Sequence, residues 1–304
     1  MGRRYVSAAM ELRSFAKMYP GHLINALKPM DVSLFLNRRP THRSTWAHKH
    51  GLLKAFFSYW LARQEIARLP MPNARPAGAR VFSPYIFSRS EVMTVLRKCP
   101  YIQGRKLSQI NPETFQLLVI LLYSTGMLVN EALCLRVSDL DLNNAVVTLS
   151  ARPGSARTIP MVRQLNALLE QRVRMMRPDE FVFQTKRGSM ISIQRIDIHF
   201  RRVRAMSGLA RKDGNKYQPL LRDLRHTFAV NRICDWYRRK QSVELMLPRM
   251  ASYLGLRTFP IVERYLPLAP PHFKRQVREL KICSSFRNRK VPFLERVGTN
   301  GANS

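Results

Sequence analysis

In the first part of the chain, apolar side chains return every three or four residues. Val32, Phe35 and Leu36 follow that spacing. From Thr45 a longer stretch begins in which Trp46, Leu52, Leu53, Phe56, Phe57, Trp60 and Leu61 line one helical face. The pattern breaks between Arg68 and Pro84, where Pro70, Pro72, Pro76 and Pro84 stand with Gly78. Prolines this dense interrupt both helices and strands. We read a helical domain over 1–68, a linker over 69–84, a second domain over 85–270 and a basic tail over 271–304.

The second segment mixes periods. Ser88 predicts an N-cap, and Glu91 three residues later completes a capping box. Phe115 to Ser124 reads as an apolar helix that Gly126 ends. Glu131 to Val137 reads as a short helix. Ala145 to Leu149 alternates and is β-branched, which predicts a strand. Pro153 and Gly154 make a turn, and Arg157 to Met161 returns, giving a hairpin. Beyond it the pattern predicts a helix over Val162 to Met176, a short strand over Phe181 to Gln184, and helices over Ile193 to Met206, Arg222 to Arg238 and Val243 to Leu254.

Charge changes the picture. Over 304 residues the chain carries 52 Lys and Arg against 19 Asp and Glu, a formal net charge of +33. Hydrophobic residues are 45 % of the total, enough for packed cores, so a disordered polycation is excluded. Such an excess repels itself unless a polyanion neutralises it, and nucleic acid is the expected partner. Residues 1–80 hold 14 Lys and Arg against 3 Asp and Glu. Arg43, Lys49, Lys54 and Arg63 alternate with the apolar positions of the first domain and are the expected phosphate-facing cations. The most apolar stretch, Phe115 to Tyr123, is far shorter than the roughly 20 residues of a membrane span. The basic start Met1-Gly2-Arg3-Arg4 has no apolar stretch behind it, so no signal peptide and no membrane partner are expected. Cys99, Cys134, Cys234 and Cys283 are scattered without a CxxC pair, which predicts neither a disulfide framework nor a metal site. The expected setting is cytoplasmic, at the nucleoid.

Two blocks carry candidate chemistry. One runs from Ser124-Thr125-Gly126-Met127-Leu128-Val129-Asn130-Glu131 through Leu140-Asp141. The other is Leu224-Arg225-His226-Thr227-Phe228-Ala229, followed by Tyr253-Leu254-Gly255-Leu256 and then Glu263-Arg264-Tyr265-Leu266. In order and spacing they resemble the catalytic domain of the tyrosine recombinases, the phage integrase family. The basic segment before the linker resembles that family's core-binding domain. The resemblance implies a mainly α fold with a small antiparallel β-sheet (α+β), arranged as a two-domain C-shaped clamp on double-stranded DNA. It also implies a chemistry that needs neither metal nor nucleotide cofactor. A tyrosine hydroxyl attacks a phosphodiester, two arginines hold the phosphoryl oxygens, and a hairpin lysine and a histidine handle protons at the leaving oxygen.

Carried over position by position, the resemblance puts the nucleophile at Tyr265 and the second arginine at Arg225. His226 falls outside the family's catalytic set and reads as a hydrogen-bonded core residue. The first arginine of Thr-Gly-x-Arg-x-x-Glu is replaced by Leu128. Arg136, eight residues on, is too far along the chain to substitute easily. The hairpin lysine falls on Arg152, the first histidine of His-x-x-Arg on Arg222, and the histidine after Leu-Gly on Leu256. Arg152, Arg222 and Arg225 can still clamp phosphate. Arginine does not give up its proton, however, and so makes a poor general acid.

The expectation is a DNA-binding protein of a mobile element, impaired in cleavage, that serves recognition, targeting or architecture in integration or transposition beside other recombination proteins. An active recombinase cleaving through Tyr265 and a basic RNA-binding protein are the alternatives. Phe273, Val277 and Leu280 could form an apolar stripe through which the tail assembles a homo-oligomer on DNA.

Overall fold

The structure is a computed structural model. It describes residues 6–39, 43–73, 83–102, 110–149, 156–213, 217–256 and 260–269, with no side-chain description at 6, 7, 43, 44 and 260. The chain divides into two compact units, Met1–Val81 and Phe82–Ser304. Arg152 and the tail stripe Phe273, Val277 and Leu280 lie outside the described residues.

The first unit is helical. It contains α1 (Val6–Ala16), α2 (Pro29–Asn37) and α3 (Arg43–Ala62). Pro29 opens α2 with φ already set, and Asp31 accepts from the Lys28 backbone N–H at 2.8 Å. The residues read from spacing close the core: Val32, Phe35, Leu36, Trp46, Leu53 and Phe57 are buried together with Phe15 and Ile66. Phe15 meets Phe35 and Phe57 edge-on at 5.1 and 6.0 Å. Leu69 and Met71, at the start of the stretch read as linker, pack partly buried against this core.

The second unit begins with α4 (Arg89–Lys98), whose capping box is the one expected: Ser88 N–H donates to Glu91 at 2.7 Å and Glu91 N–H to Ser88 Oγ at 3.2 Å. Next come α5 (Pro112–Thr125) and α6 (Val129–Leu133). Strands β1 (Leu140–Asp141), β2 (Val146–Leu149) and β3 (Arg157–Pro160) form an antiparallel sheet in that order. Val147 pairs Ile159, and both are fully buried. Helices α7 (Arg163–Val173), α8 (Ile193–Met206), α9 (Asp223–Arg238), α10 (Val243–Leu254) and α11 (Pro260–Glu263) complete the unit. The fold is mainly α with a small antiparallel sheet. Among the described residues, no helix is long and apolar enough to cross a membrane.

Two element readings are corrected. The helix expected over Glu131–Val137 is Val129–Leu133. The Glu131 carboxylate takes the Leu128 N–H at 2.8 Å, which fixes the start two residues earlier. Beyond Leu133 the backbone turns outward to pair: Val182 N–H donates to Leu135 and Val137 N–H to Glu180, at 2.9 and 3.0 Å. The strand expected over Phe181–Gln184 is therefore only a pair of isolated bridges, Arg136 with Phe181 and Gln184 with Met190. Strand β1 and helices α1 and α11 were not read. Two residues in β1 and four in α11 are too few to show a period, and β1 is defined by its partner Val146–Val147.

Candidate active site

The site is built where two helices end. Gly126 terminates α5 and Gly255 terminates α10, each in the left-handed conformation, with φ of 66° and 65°. Space also disfavours a side chain at each position. A Cβ on Gly126 would lie 2.5 Å from the Phe228 ring, and one on Gly255 would lie 2.8 Å from the Arg157 guanidinium. The last turn of a helix leaves carbonyls without partners, and they carry the negative end of the helix dipole. Arginines take these carbonyls here. Arg225 Nη1 donates to Gly126 O at 3.1 Å and its Nη2 to Leu254 O at 2.6 Å. Arg157, from β3, donates through Nε to Tyr253 O at 2.9 Å and through Nη2 to Glu131 at 2.7 Å.

Arg225 stands in the first turn of α9 and is only 7 % exposed. Burial lowers its pKa, while Glu131 and Tyr265 push it back up. Tyr265 follows α11 and is 3 % exposed. Burial raises its pKa, and the Arg225 guanidinium, which hydrogen-bonds the hydroxyl, opposes that rise. The hydroxyl also meets Nδ1 of His226 at 3.0 Å. Burial, then Arg225 and Arg222, hold the His226 imidazole down to about 4. At neutral pH the Tyr265 phenol and the His226 imidazole are thus both uncharged.

The structure brings Arg225, His226 and Tyr265 together. It places Arg222 at the N-terminus of α9 with its side chain exposed. Leu256 is partly buried against the core of α9 and α10. Leu128 sits at the N-cap of α6 and is 46 % exposed, an apolar side chain presented to solvent. Arg136 is engaged elsewhere, bonded to Asp179 O and stacked 4.5 Å from the Phe181 ring. In the first unit Lys54 is exposed, and the Arg43 side chain is not described. Lys49 is turned inward instead: it pairs with Glu11 at 2.9 Å and lies over the Phe35 ring. Among the described residues no group of three or more His, Cys, Asp or Glu could hold a metal ion.

Known proteins resemble this chain in sequence and in fold. The model described as Phage integrase family matches residues 90–233. An integrase/recombinase of Sinorhizobium fredii, y4rB, is 26 % identical over 271 residues and 83 % of each chain. The tyrosine recombinase XerC of Lactobacillus leichmannii is 24 % identical over 220 residues and 70 % of each chain. Among solved structures, the Tn1549 transposon integrase in complex with a circular intermediate DNA superposes with a TM-score of 0.66 at 16 % identity, covering 91 % of this chain and 94 % of that one. A lambda integrase dimer bound to a COC′ core site gives 0.61 at 14 %, covering 86 % and 87 %. The chain is similar to the phage integrase family of tyrosine recombinases over residues 90–233.

For this tyrosine recombinase relative, sequence reasoning missed the Glu131–Arg157 ion pair. Glu131 belongs to the quoted Thr-Gly block, but Arg157 was read only as a strand residue, 26 positions away. The alternation of β3 points the Ile159 side chain into the core. Nothing in that alternation says what the Arg157 end of the strand would meet.

The buried imidazole gives a pH dependence with a defined sign. The folded-state pKa of His226, about 4, lies below the ordinary value of 6.5. The unfolded chain therefore binds the extra proton first, and stability falls as pH drops through that window. Full expression of the shift corresponds to about 3 kcal/mol. His199, also held down by burial, adds in the same direction. Asp223, whose carboxyl burial pushes up from 3.8, opposes it in the lower part of the window. Urea unfolding at pH 7 and pH 4.5 should show that His226→Gln loses less stability on acidification than the natural chain. Equal losses would remove His226 as a source.

Proposed function

We propose that this protein binds duplex DNA through the recombinase fold and cleaves it through Tyr265 very slowly or not at all. Its role is then recognition, targeting or architecture in the recombination of a mobile element. The observation that carries this reading is Leu128, 46 % exposed at the edge of a cluster whose Arg225 is already committed to two backbone carbonyls. Attack on a phosphodiester spreads negative charge over the phosphoryl oxygens. A missing arginine at such a centre costs on the order of 10³–10⁵ in rate by analogy with other phosphoryl transfers. Losing general acid catalysis, with Arg222 and Leu256 at the histidine positions, costs a further factor of about 10²–10⁴, although the two losses do not multiply. The net charge of +33 supports the binding half of the proposal.

The experiment has two readouts. Binding to duplex DNA should weaken steeply with salt, on the order of 10³-fold between roughly 50 and 200 mM if six or more phosphates are neutralised. Incubation with nicked duplex carrying the ends of its own element, followed by detergent, should leave no protein–DNA adduct. An adduct that forms with the natural chain and disappears in Tyr265→Phe would overturn the impaired reading. It would establish the second reading, an active strand transferase, which the intact meeting of Arg225 and Tyr265 favours.

A further inference from the structure

The hydroxyl of Tyr265 has a donor on one side and a histidine on the other. Arg225 hydrogen-bonds the phenol oxygen, and a guanidinium has donors only. The phenol accepts there, so its own proton is directed to an acceptor partner. That partner is Nδ1 of His226, 3.0 Å away, with ring centroids 5.6 Å apart. This assigns the imidazole tautomer: Nδ1 is bare and the proton sits on Nε2. The charged groups acting on the imidazole are Arg225 and Arg222, both cationic, and behind Arg225 stand Glu131 and Arg157. All of them are compatible with a neutral ring.

Magnitudes decide what such a histidine can do. Its proton affinity is that of a group titrating near 4, whereas a phenol begins at 10.0 and is raised here. Moving the proton from phenol to imidazole is therefore uphill by a factor of about 10⁶ or more, one tenfold step per pKa unit. His226 is a poor base for Tyr265. As an acceptor in a buried site it is effective, because a hydrogen bond made away from water keeps most of its strength.

We propose that His226 is a positioning residue for Tyr265: it holds the hydroxyl, still protonated, against Arg225 and so fixes where the phenol oxygen rests. The pairing deepens the reading of Tyr265 as the nucleophile position and matters for catalysis only if that reading stands. Its test, however, needs no DNA. A phosphate that came to Arg225 would compete for a donor the phenol now uses.

The test uses the full chain labelled with ¹⁵N-histidine and ¹³Cζ-tyrosine. In the natural chain the His226 Nδ1 signal should be that of a neutral hydrogen-bond acceptor. Tyr265→Phe keeps the ring and removes the donor. Nδ1 should then shift toward the value of an unbonded acceptor, and the titration midpoint of His226 should rise by about half a unit or more, because the neutral form has lost its bond. In the other direction, His226→Leu should move the Tyr265 Cζ signal, and His226→Gln, whose amide oxygen can accept, should largely restore it. A purely space-filling histidine would show no difference between the Leu and Gln variants. The proposal is overturned if Tyr265→Phe leaves the His226 nitrogens and midpoint unchanged, or if Leu and Gln at 226 give the same Cζ signal. Failure of the chain to bind duplex DNA would sink the proposed function and leave this pairing untouched.

Discussion

Arg225→Gln should lower the unfolding free energy of the second unit by about 2–5 kcal/mol, since each helix-end carbonyl left buried without a partner costs about 1–3 kcal/mol. The carbonyls concerned are Gly126 O and Leu254 O, the exits of α5 and α10. The shorter glutamine amide can reach one of them at best. The Tyr265 hydroxyl loses its donor in the same change. The carboxylate of Glu131 is not orphaned, because Arg157 still holds it at 2.7 Å, which keeps the loss below that of a fully broken buried ion pair. Denaturant unfolding followed by circular dichroism measures the effect. Arg225→Lys separates charge from shape: it restores the positive charge but not the planar fork, so it should recover only part of the stability. A loss under about 1 kcal/mol for Arg225→Gln would mean that water replaces the guanidinium at both carbonyls, and that the residue is free to serve a ligand instead.

This double use of Arg225 explains how far the sequence could be read. The helices were legible because their caps and periods are local. Ser88 with Glu91, and Gly126 after Ser124, each act within a few residues, and Ile193–Met206 and Val243–Leu254 came out with the boundaries read. The spacing of the Thr-Gly, Arg-His-Thr and Leu-Gly blocks pointed to one candidate site, and the fold brings His226 and Tyr265 of that set together. What those blocks do to one another was not. Arg225 could have been an exposed helix arginine, and only the fold shows it bonding carbonyls 99 and 29 residues away in sequence. His226 was read as a hydrogen-bonded core residue, but its partner, Tyr265, lies 39 positions on and shares no local pattern with it. Lys49 illustrates the opposite error. A cation on a basic helix reads as solvent-facing, yet Glu11 on α1 and the ring of Phe35 draw it inward. Burial of long-range partners, not propensity, decides each of these cases.

Leu128→Arg should raise the rate of covalent adduct formation on nicked duplex by about 10²-fold or more, part of the 10³–10⁵ that an arginine contributes at a phosphoryl-transfer centre. The position is favourable for the change. Leu128 sits at the N-cap of α6 with its side chain 46 % exposed, so an arginine needs no cavity and displaces no core atom. Its backbone N–H stays bonded to Glu131, which fixes the origin of the new side chain. The gain should stop short of the full factor, because the substitution supplies a charge clamp and no general acid. Arginine and leucine remain at 222 and 256, and the leaving oxygen must still find its proton in water. Adding Leu256→His should then give a further increase only in the Leu128→Arg background, since groups that act on one transition state are not additive. Tyr265→Phe must abolish every gain. If Leu128→Arg binds DNA as the natural chain does but changes the adduct rate less than about threefold, the missing arginine is not what limits this site, and the barrier lies in releasing Tyr265 from Arg225 and His226.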